Sequence, residues 1–209
     1  MDRIPSRWRG DAVTSAHEEG AYTATKYLIK LGHKRIATIT GPLSGTSAAE
    51  RLSGFIRAMK EARLAILPGY IQEAHFDKAS GHEKTNALLH LRTRPTAIFA
   101  ANDLIAFGAL AAIRQAGLVC PTDISVIGFD NLDVGDTSPS LSTVDQFVYD
   151  LGSKAVQIIV DRVAGDKSSA KRVRMPTELR IKDSTCAPQG IKSSPVKKTI
   201  GNSRPSKSR

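Results

Sequence analysis

Long apolar runs are missing from this 209-residue chain. Nowhere do the roughly 20 apolar residues stand together that a helix needs to cross a bilayer, so no spanning helix is expected. The opening stretch MDRIPSRWRGD is charged and holds no apolar segment of the kind a secretory signal requires. Cysteine is scarce: Cys120 and Cys186 lie far apart in sequence and fit no metal spacing. They read as reduced thiols of a cytoplasmic protein rather than a structural disulfide. Aromatics make up only 5% of the residues, which predicts an aliphatic core. There is no phosphate-cradling GxxxxGK[ST] loop, and Ser47 has no visible His–Asp partners, so neither a nucleotide cofactor nor an enzyme is expected. His33, His75, His82 and His90 share no ligand spacing and read as surface or packing residues. The loop with Asp133 and Asp136 lacks the rest of a calcium loop. No solenoid-type repeat is present.

What is present is a basic chain of ordinary hydrophobic content, 41%, long enough for one large domain or two small ones. The net charge of +10 invites a nucleic-acid reading, but its distribution weakens it. Six of those charges fall in residues 187–209, at Lys192, Lys197, Lys198, Arg204, Lys207 and Arg209, with no acid among them. That segment, rich in Ser, Pro and Lys, is predicted to be disordered. It reads as a solvated tail, or as a weak, salt-sensitive contact with DNA.

Residues 94–131 carry the clearest pattern. After Pro95, Thr96–Ala101 is an apolar run of the kind buried on both faces of a parallel sheet. Asn102 and Asp103 break it with residues suited to a helix start. Leu104, Phe107, Leu110, Ala111 and Ile113 recur at helical spacing up to Gly117. Ile124–Gly128 is a second apolar run, with Asp130 just past its end. Strand, helix, strand is a crossover unit, and both strands release a polar side chain at the carboxyl end, where open parallel sheets bind ligands.

Elsewhere a short strand is predicted near residues 12–14, helices over 17–31, 48–63, 78–92 and 147–164, and strands over 34–40, within 70–74, and as a pair over 171–182. The inward residues are taken as Ala21, Ala24, Tyr27, Leu28 and Leu31 in the first helix and Leu52, Phe55, Ile56 and Met59 in the second. Ala79, Ala87, Leu88 and Leu91 serve the third, and Val148, Leu151, Ala155, Ile158, Ile159 and Val163 the fourth. The alternation argues a doubly wound parallel α/β sheet.

PTAIFAAND followed by DISVIGFD resembles the effector-binding core of the LacI/GalR family of bacterial transcription repressors. YLIKLGHKRIATITGP, RLSGF, SGH, PSLSTVDQ and MPTEL fall in the family's order. The resemblance covers roughly residues 2–186. It implies a type I periplasmic-binding-protein-like architecture with two α/β subdomains and a ligand cleft between them. By that mapping residues 1–16 are a remnant of the N-terminal subdomain and 17–145 the C-terminal sensor subdomain. Residues 146–175 return to the first subdomain, and 176–186 form a final strand. Asp2-Arg3 matches a motif about midway along such proteins. The chain is thus expected to be a fragment or truncated product, with the helix at 147–164 deprived of its strands, an incomplete and poorly stable first subdomain, and no DNA-reading helix.

A cleft that senses a small polar metabolite needs a few fixed donors and acceptors beside an apolar wall. Arg51 offers a planar fork to hydroxyls or a carboxylate, and Ser47, one turn earlier, shares its helical face. On periodicity alone, both read as ordinary helix residues. Asn102 and Asp130 stand at strand ends, although Asn102 also suits a helix cap and Asp130 a turn. The resemblance places these four in the cleft, with Phe76 as an aromatic wall, Gln146 at a crossover and Asp2 as a cleft acid. Asp103 reads as structural. His17 falls at the subdomain crossover, where many family members have an Asn following an Asp; here the pair is Ala16-His17.

The resemblance implies the ligand-sensing region of a transcription regulator, taking a sugar or nucleobase. It would act on operator DNA only through a helix-turn-helix outside this stretch, and would dimerise through the face near Phe107 and the loop 132–138. The rivals are a transporter-type solute-binding protein and a non-functional remnant.

Overall fold

The computed structural model describes residues 8–133 and 138–189. The expectations placed on Asp2, Asp136 and the basic tail from residue 190 onward lie outside that range. The strand-rich, helix-alternating pattern produces thirteen elements: β1 (Ala12–Ser15), α1 (His17–Lys30), β2 (Ile36–Thr40), α2 (Thr46–Glu61), β3 (Ile71–Glu73), α3 (Lys78–Leu89), β4 (Ala97–Ala100), α4 (Asp103–Gln115), β5 (Ser125–Asp130), β6 (Ser142–Asp145), α5 (Val148–Val163), β7 (Arg172–Met175) and β8 (Glu178–Arg180). They form a six-stranded sheet in the order β3-β2-β4-β5-β6-β8 and a separate two-stranded sheet, β1-β7. All pairings are parallel except β6 with β8.

The apolar runs are strands buried on both faces. In β4 every residue is buried, and the two-residue period sends Ala97 and Phe99 to one side and Ile98 and Ala100 to the other. The first side packs with Leu28, Phe55, Met59 and Phe129 beneath α1 and α2. The second packs with Ile39, Tyr70, Leu88 and Ile105 beneath α3 and α4. Tyr70, Phe55, Phe99 and Phe129 head the largest fully buried side chains, in a core that is otherwise aliphatic, as expected. Each of these four rings removes a large apolar surface from water.

Helix pairing decides which faces turn inward. A Cβ on Gly54 would stand 2.1 Å from the Glu18 carbonyl oxygen, and one on Gly108 2.2 Å from that of Lys78. These glycines let α2 lie directly on α1, and α4 on α3. Small residues therefore occupy the contact lines, and larger apolar ones are displaced. Ile56, expected inward, is exposed, while Ala48, Gly54 and Ala58 are buried. Ala79 and Ala87 are likewise exposed; α3 buries Ser80, Gly81, Thr85 and Leu88 instead. The strands at 171–182 do not pair with each other. β7 joins β1, and β8 joins β6.

After β8 the chain straps across the other end of the six-stranded sheet. Ser184, fully buried, donates to the Val126 carbonyl at 2.6 Å, and Val126 N–H donates to Ser184 O at 2.8 Å. Buried His33 ties in the strap by contacts of 2.9 Å to Cys186 O and to Thr96 Oγ1, and its burial lowers its pKa. The two cysteines, remote in sequence, meet in this layer. Cys120 Sγ approaches Ser184 O at 3.4 Å and Cys186 Sγ approaches Pro121 O at 3.3 Å. Burial pushes the Cys120 thiol up to about 12.

Candidate functional site

The carboxyl ends of β4, β5 and β6 converge on one polar network. Its centre is Arg51, on the second turn of α2, with its side chain 6% exposed. A buried guanidinium must find acceptors, because desolvating the charge is otherwise costly. Arg51 Nε donates to His17 Nδ1 at 3.3 Å, and a terminal nitrogen donates to the Ala101 carbonyl. The same nitrogen lies 3.6 Å from Asp130 Oδ1. The guanidinium also sits 3.8 Å above the centroid of the Phe129 ring, a favourable cation–π arrangement.

Asp130 extends the network. Gln146 Nε2 donates to Asp130 Oδ1 at 2.8 Å, and Ser15 Oγ donates to Gln146 Oε1 at 2.9 Å. Ser15 belongs to β1, so one chain of polar contacts runs from the two-stranded sheet, through the segment after β6, to α2 and α1. Three of the six candidate residues, Arg51, Asp130 and Gln146, are therefore joined directly or through a single neighbour.

The other candidates surround this centre in different ways. Asn102 is the N-cap of α4: its Oδ1 accepts from Ile105 N–H at 2.9 Å. Its Nδ2 donates to Phe76 O at 3.4 Å, so it also holds the backbone of the aromatic candidate. Phe76 has φ 59°, unusual for a residue with a side chain, and its ring lies where a Cβ on Gly41 would fall, 2.1 Å from Cζ. Gly41 thus makes room for the Phe76 ring, which its Gly-Pro turn pattern did not disclose. Ser47 is buried in the first turn of α2, one turn before Arg51.

Positive φ values gather here. Of five such non-glycine residues among those described, Phe76, Asp130, Asn131 and Phe147 lie at the strand ends or just after them. Backbone strain of this kind persists only where surrounding contacts impose it. Those contacts are visible. Asp145 accepts from Phe147 N–H at 2.8 Å and from Asn131 Nδ2 at 3.1 Å. Asp103 accepts from Leu132 N–H at 2.7 Å and from Thr143 Oγ1 at 2.6 Å. Burial raises the Asp103 pKa, and these bonds oppose the rise. Asp103 is structural, as read from its place at the helix start.

Two participants escaped the sequence reading. The Ala101 carbonyl is invisible to any side-chain pattern. Thr40, at the end of β2, has a buried hydroxyl with no hydrogen-bond partner among the described residues. Its alternation within IATIT marks a strand, not a polar orphan. Among the described residues, no three His, Cys, Asp or Glu side chains gather as metal ligands. No described helix is long and apolar enough to cross a membrane.

A doubly wound parallel sheet with a polar, strained crest at its carboxyl ends defines an α/β module of the ligand-binding type. Residues 25–185 match the periplasmic binding protein-like domain, and the chain belongs to that family, in its LacI branch. It is 41% identical over 185 residues to the HTH-type transcriptional repressor PurR of Pasteurella multocida, a match covering 88% of this chain and 55% of that relative. The chain thus spans about half the length of the curated relatives it matches. A regulatory protein of the LacI family from Chloroflexus aggregans superposes with a TM-score of 0.81 at 35% identity, over 88% of this chain and 66% of that one. A LacI family transcriptional regulator from Enterococcus faecium, solved with bound ribose, superposes at 0.78 and 28% identity, over 86% and 66% of the two chains.

Proposed function

We propose that this chain is the effector-sensing module of a LacI-type transcription regulator. It takes an uncharged, hydrogen-bonding metabolite, a sugar or a nucleobase, at the crest of the six-stranded sheet. Arg51, Asp130 and Gln146 supply donors and acceptors, Ser47 adds a hydroxyl, and Phe76 gives a ring face. Asn102 holds Phe76 and the start of α4 in place. Residues 17–145 form the sensor subdomain. Residues 1–16 and 146–175 contribute to the other subdomain, and 176–186 return as the final strand.

The observation that carries this reading is the buried polar chain from Ser15 through Gln146 and Asp130 to Arg51 and His17. It links the two sheets through charged groups, which a purely structural core replaces with apolar ones at no loss of stability. A ligand bridging those groups would change how the two layers sit. In the whole protein that movement would be felt by operator DNA through a DNA-binding segment. Relatives named as transcriptional repressors, and a structural neighbour solved with ribose, support this class. Arg51 and Asp130 neutralise one another, which favours a ligand without net charge.

The groove of about 610 Å3 lined by Lys78, Phe107, Leu110, Arg114, Leu118 and Pro139 lies on a different face. We assign it to pairing with a second copy, the mode in which the whole regulator would act as a cytoplasmic dimer.

Calorimetric titration with ribose, cellobiose and purine bases tests the site. A ligand that binds wild type should bind Arg51→Ala more weakly by about 2–5 kcal/mol, the cost of removing one buried, charged hydrogen-bonding partner. Equal binding by both proteins would remove Arg51 from the site.

A further inference from the structure

Arg51 does not orient itself. Residues outside α2 restrain its side chain. The Phe129 ring lies beneath the guanidinium, its centroid 3.8 Å from Cζ, and restrains it from below. Its rotation is fixed by the edge contacts, Nε–H to His17 Nδ1 at 3.3 Å and the bond to Ala101 O. His17 is 2% exposed, and its own ring packs on the same Phe129, centroids 5.8 Å apart and tilted by 45°. Histidine and arginine thus share one aromatic platform, with the imidazole at the edge of the guanidinium. The 3.6 Å separation from Asp130 Oδ1 is an ion-pair distance, too long to set a direction.

We infer that His17 is the positioning residue of this site: its Nδ1 lone pair sets the direction in which Arg51 presents its guanidinium to a ligand. The inference rests on the reading of Arg51 as a ligand contact. The chemistry demands a particular state of the ring. Arginine has N–H groups only and cannot accept, so Nδ1 must carry the lone pair and the proton must sit on Nε2. The adjacent carboxylates do not supply a substitute acceptor, since Glu18 and Glu19 are engaged by Arg57 at 2.7 Å and 2.8 Å. The spacing is set by the glycine contact between helices. With Gly54 against the backbone of Glu18, α1 and α2 lie close enough for residue 17 to reach residue 51. At this crossover position a side chain without an acceptor would remove the contact that Arg51 Nε–H makes with residue 17.

The test uses the full chain with His17→Ala, His17→Asn and Arg51→Ala. Asparagine places Oδ1 close to where Nδ1 stood and restores an acceptor without the ring. Two readouts separate this inference from the ligand assignment. The first needs no ligand: long-range 1H–15N NMR gives the His17 tautomer, and the Arg51 Nε–H resonance reports its hydrogen bond. The expected result is the Nε2-protonated tautomer, with an exchange-protected Arg51 Nε–H that is lost in His17→Ala and kept in His17→Asn. The second is titration with ribose, cellobiose and adenine. Whichever probe binds wild type should bind His17→Ala about tenfold more weakly, the scale of one hydrogen bond to a charged group, and His17→Asn should recover most of that loss. An Nδ1-protonated ring, or an Arg51 signal and affinity untouched by His17→Ala, would overturn the inference. So would failure of His17→Asn to rescue while the protein stays folded. If none of the three probes binds wild type but the NMR result is as expected, the positioning stands and the ligand class fails.

Discussion

The two sheets of this protein are held together by different forces. In the six-stranded sheet, β2, β4 and β5 are buried along almost their whole length, and helices cover both faces. In the two-stranded sheet, β7 alternates between exposed and half-buried, and α5 buries only Leu151 and Ile158. Val156, Ile159, Val160 and Val163 on that helix remain exposed. Charge holds this second region: Arg162 forks onto Asp11 with two 2.8 Å contacts, Asp11 also accepts from Lys171 N–H at 2.7 Å, and Lys171 reaches Asp166 at 2.7 Å. Such half-buried pairs contribute modestly and weaken in salt, whereas burial of apolar surface contributes more and is not screened. The same chain therefore carries one region stabilised mainly by burial and another in which ion pairs take a larger share. The candidate site lies where they meet.

The comparison can be broken most sharply in the core. Phe99→Ala should cost about 3–5 kcal/mol in urea unfolding, as deletion of a fully buried ring does. Val163→Ala, on the exposed face of α5, should cost less than about 0.5 kcal/mol. Equal costs would mean that the two regions are alike after all.

Acid should discriminate next. The hydrogen bonds from Arg162 lower the Asp11 carboxyl from its ordinary 3.8 to about 2, and contacts from Lys171 and Ser168 lower Asp166 further. Between those values the folded state binds fewer protons than the unfolded one. The stabilisation is therefore complete above about pH 4 and is lost as pH falls toward 2. Amide exchange in β1 and β7 should accelerate over that window, while amides in β4 and β5 hold their protection relative to it. His33 adds a milder effect at the strap. Its lowered pKa means that its contribution is present above about 6.5 and declines as pH drops below that.

Added sodium chloride should produce the smallest change. Raising it toward 1 M should speed exchange in β1 and β7 by less than acid does and leave β4 unaltered. Acceleration confined to the six-stranded sheet would invert the proposed division.

Much of the arrangement around the candidate site was legible before the fold was known, for a local reason. Asn102 and Asp130 end apolar runs, and a parallel sheet must place the ends of such runs on one edge. Arg51 and Ser47 are one helical turn apart, so a shared face follows from period alone. The helix faces were harder. Ile56, Ala79 and Ala87 were read as inward because hydropathy ranks side chains by type, but α1–α2 and α3–α4 approach through glycine and alanine, which the ranking undervalues. The roles of Phe76 and Gly41 depend on a backbone conformation, φ 59° at Phe76, that no composition rule forecasts.

The sequence by itself determined the order of strands and helices, the buried character of IATIT, AIFA and SVIGF, and the family. Element order and burial are properties of neighbouring residues, encoded in periods of two or of three to four, whereas the family shows in motifs such as PTAIFAAND and DISVIGFD. Only the tertiary structure decided that His17 meets Arg51, that Gln146 ties Ser15 to Asp130, that Cys120 and Cys186 share a layer, and that β7 and β8 part into separate sheets. Those contacts join residues remote along the chain, and what selects them is the packing of whole helices on a sheet rather than any preference of the residues concerned.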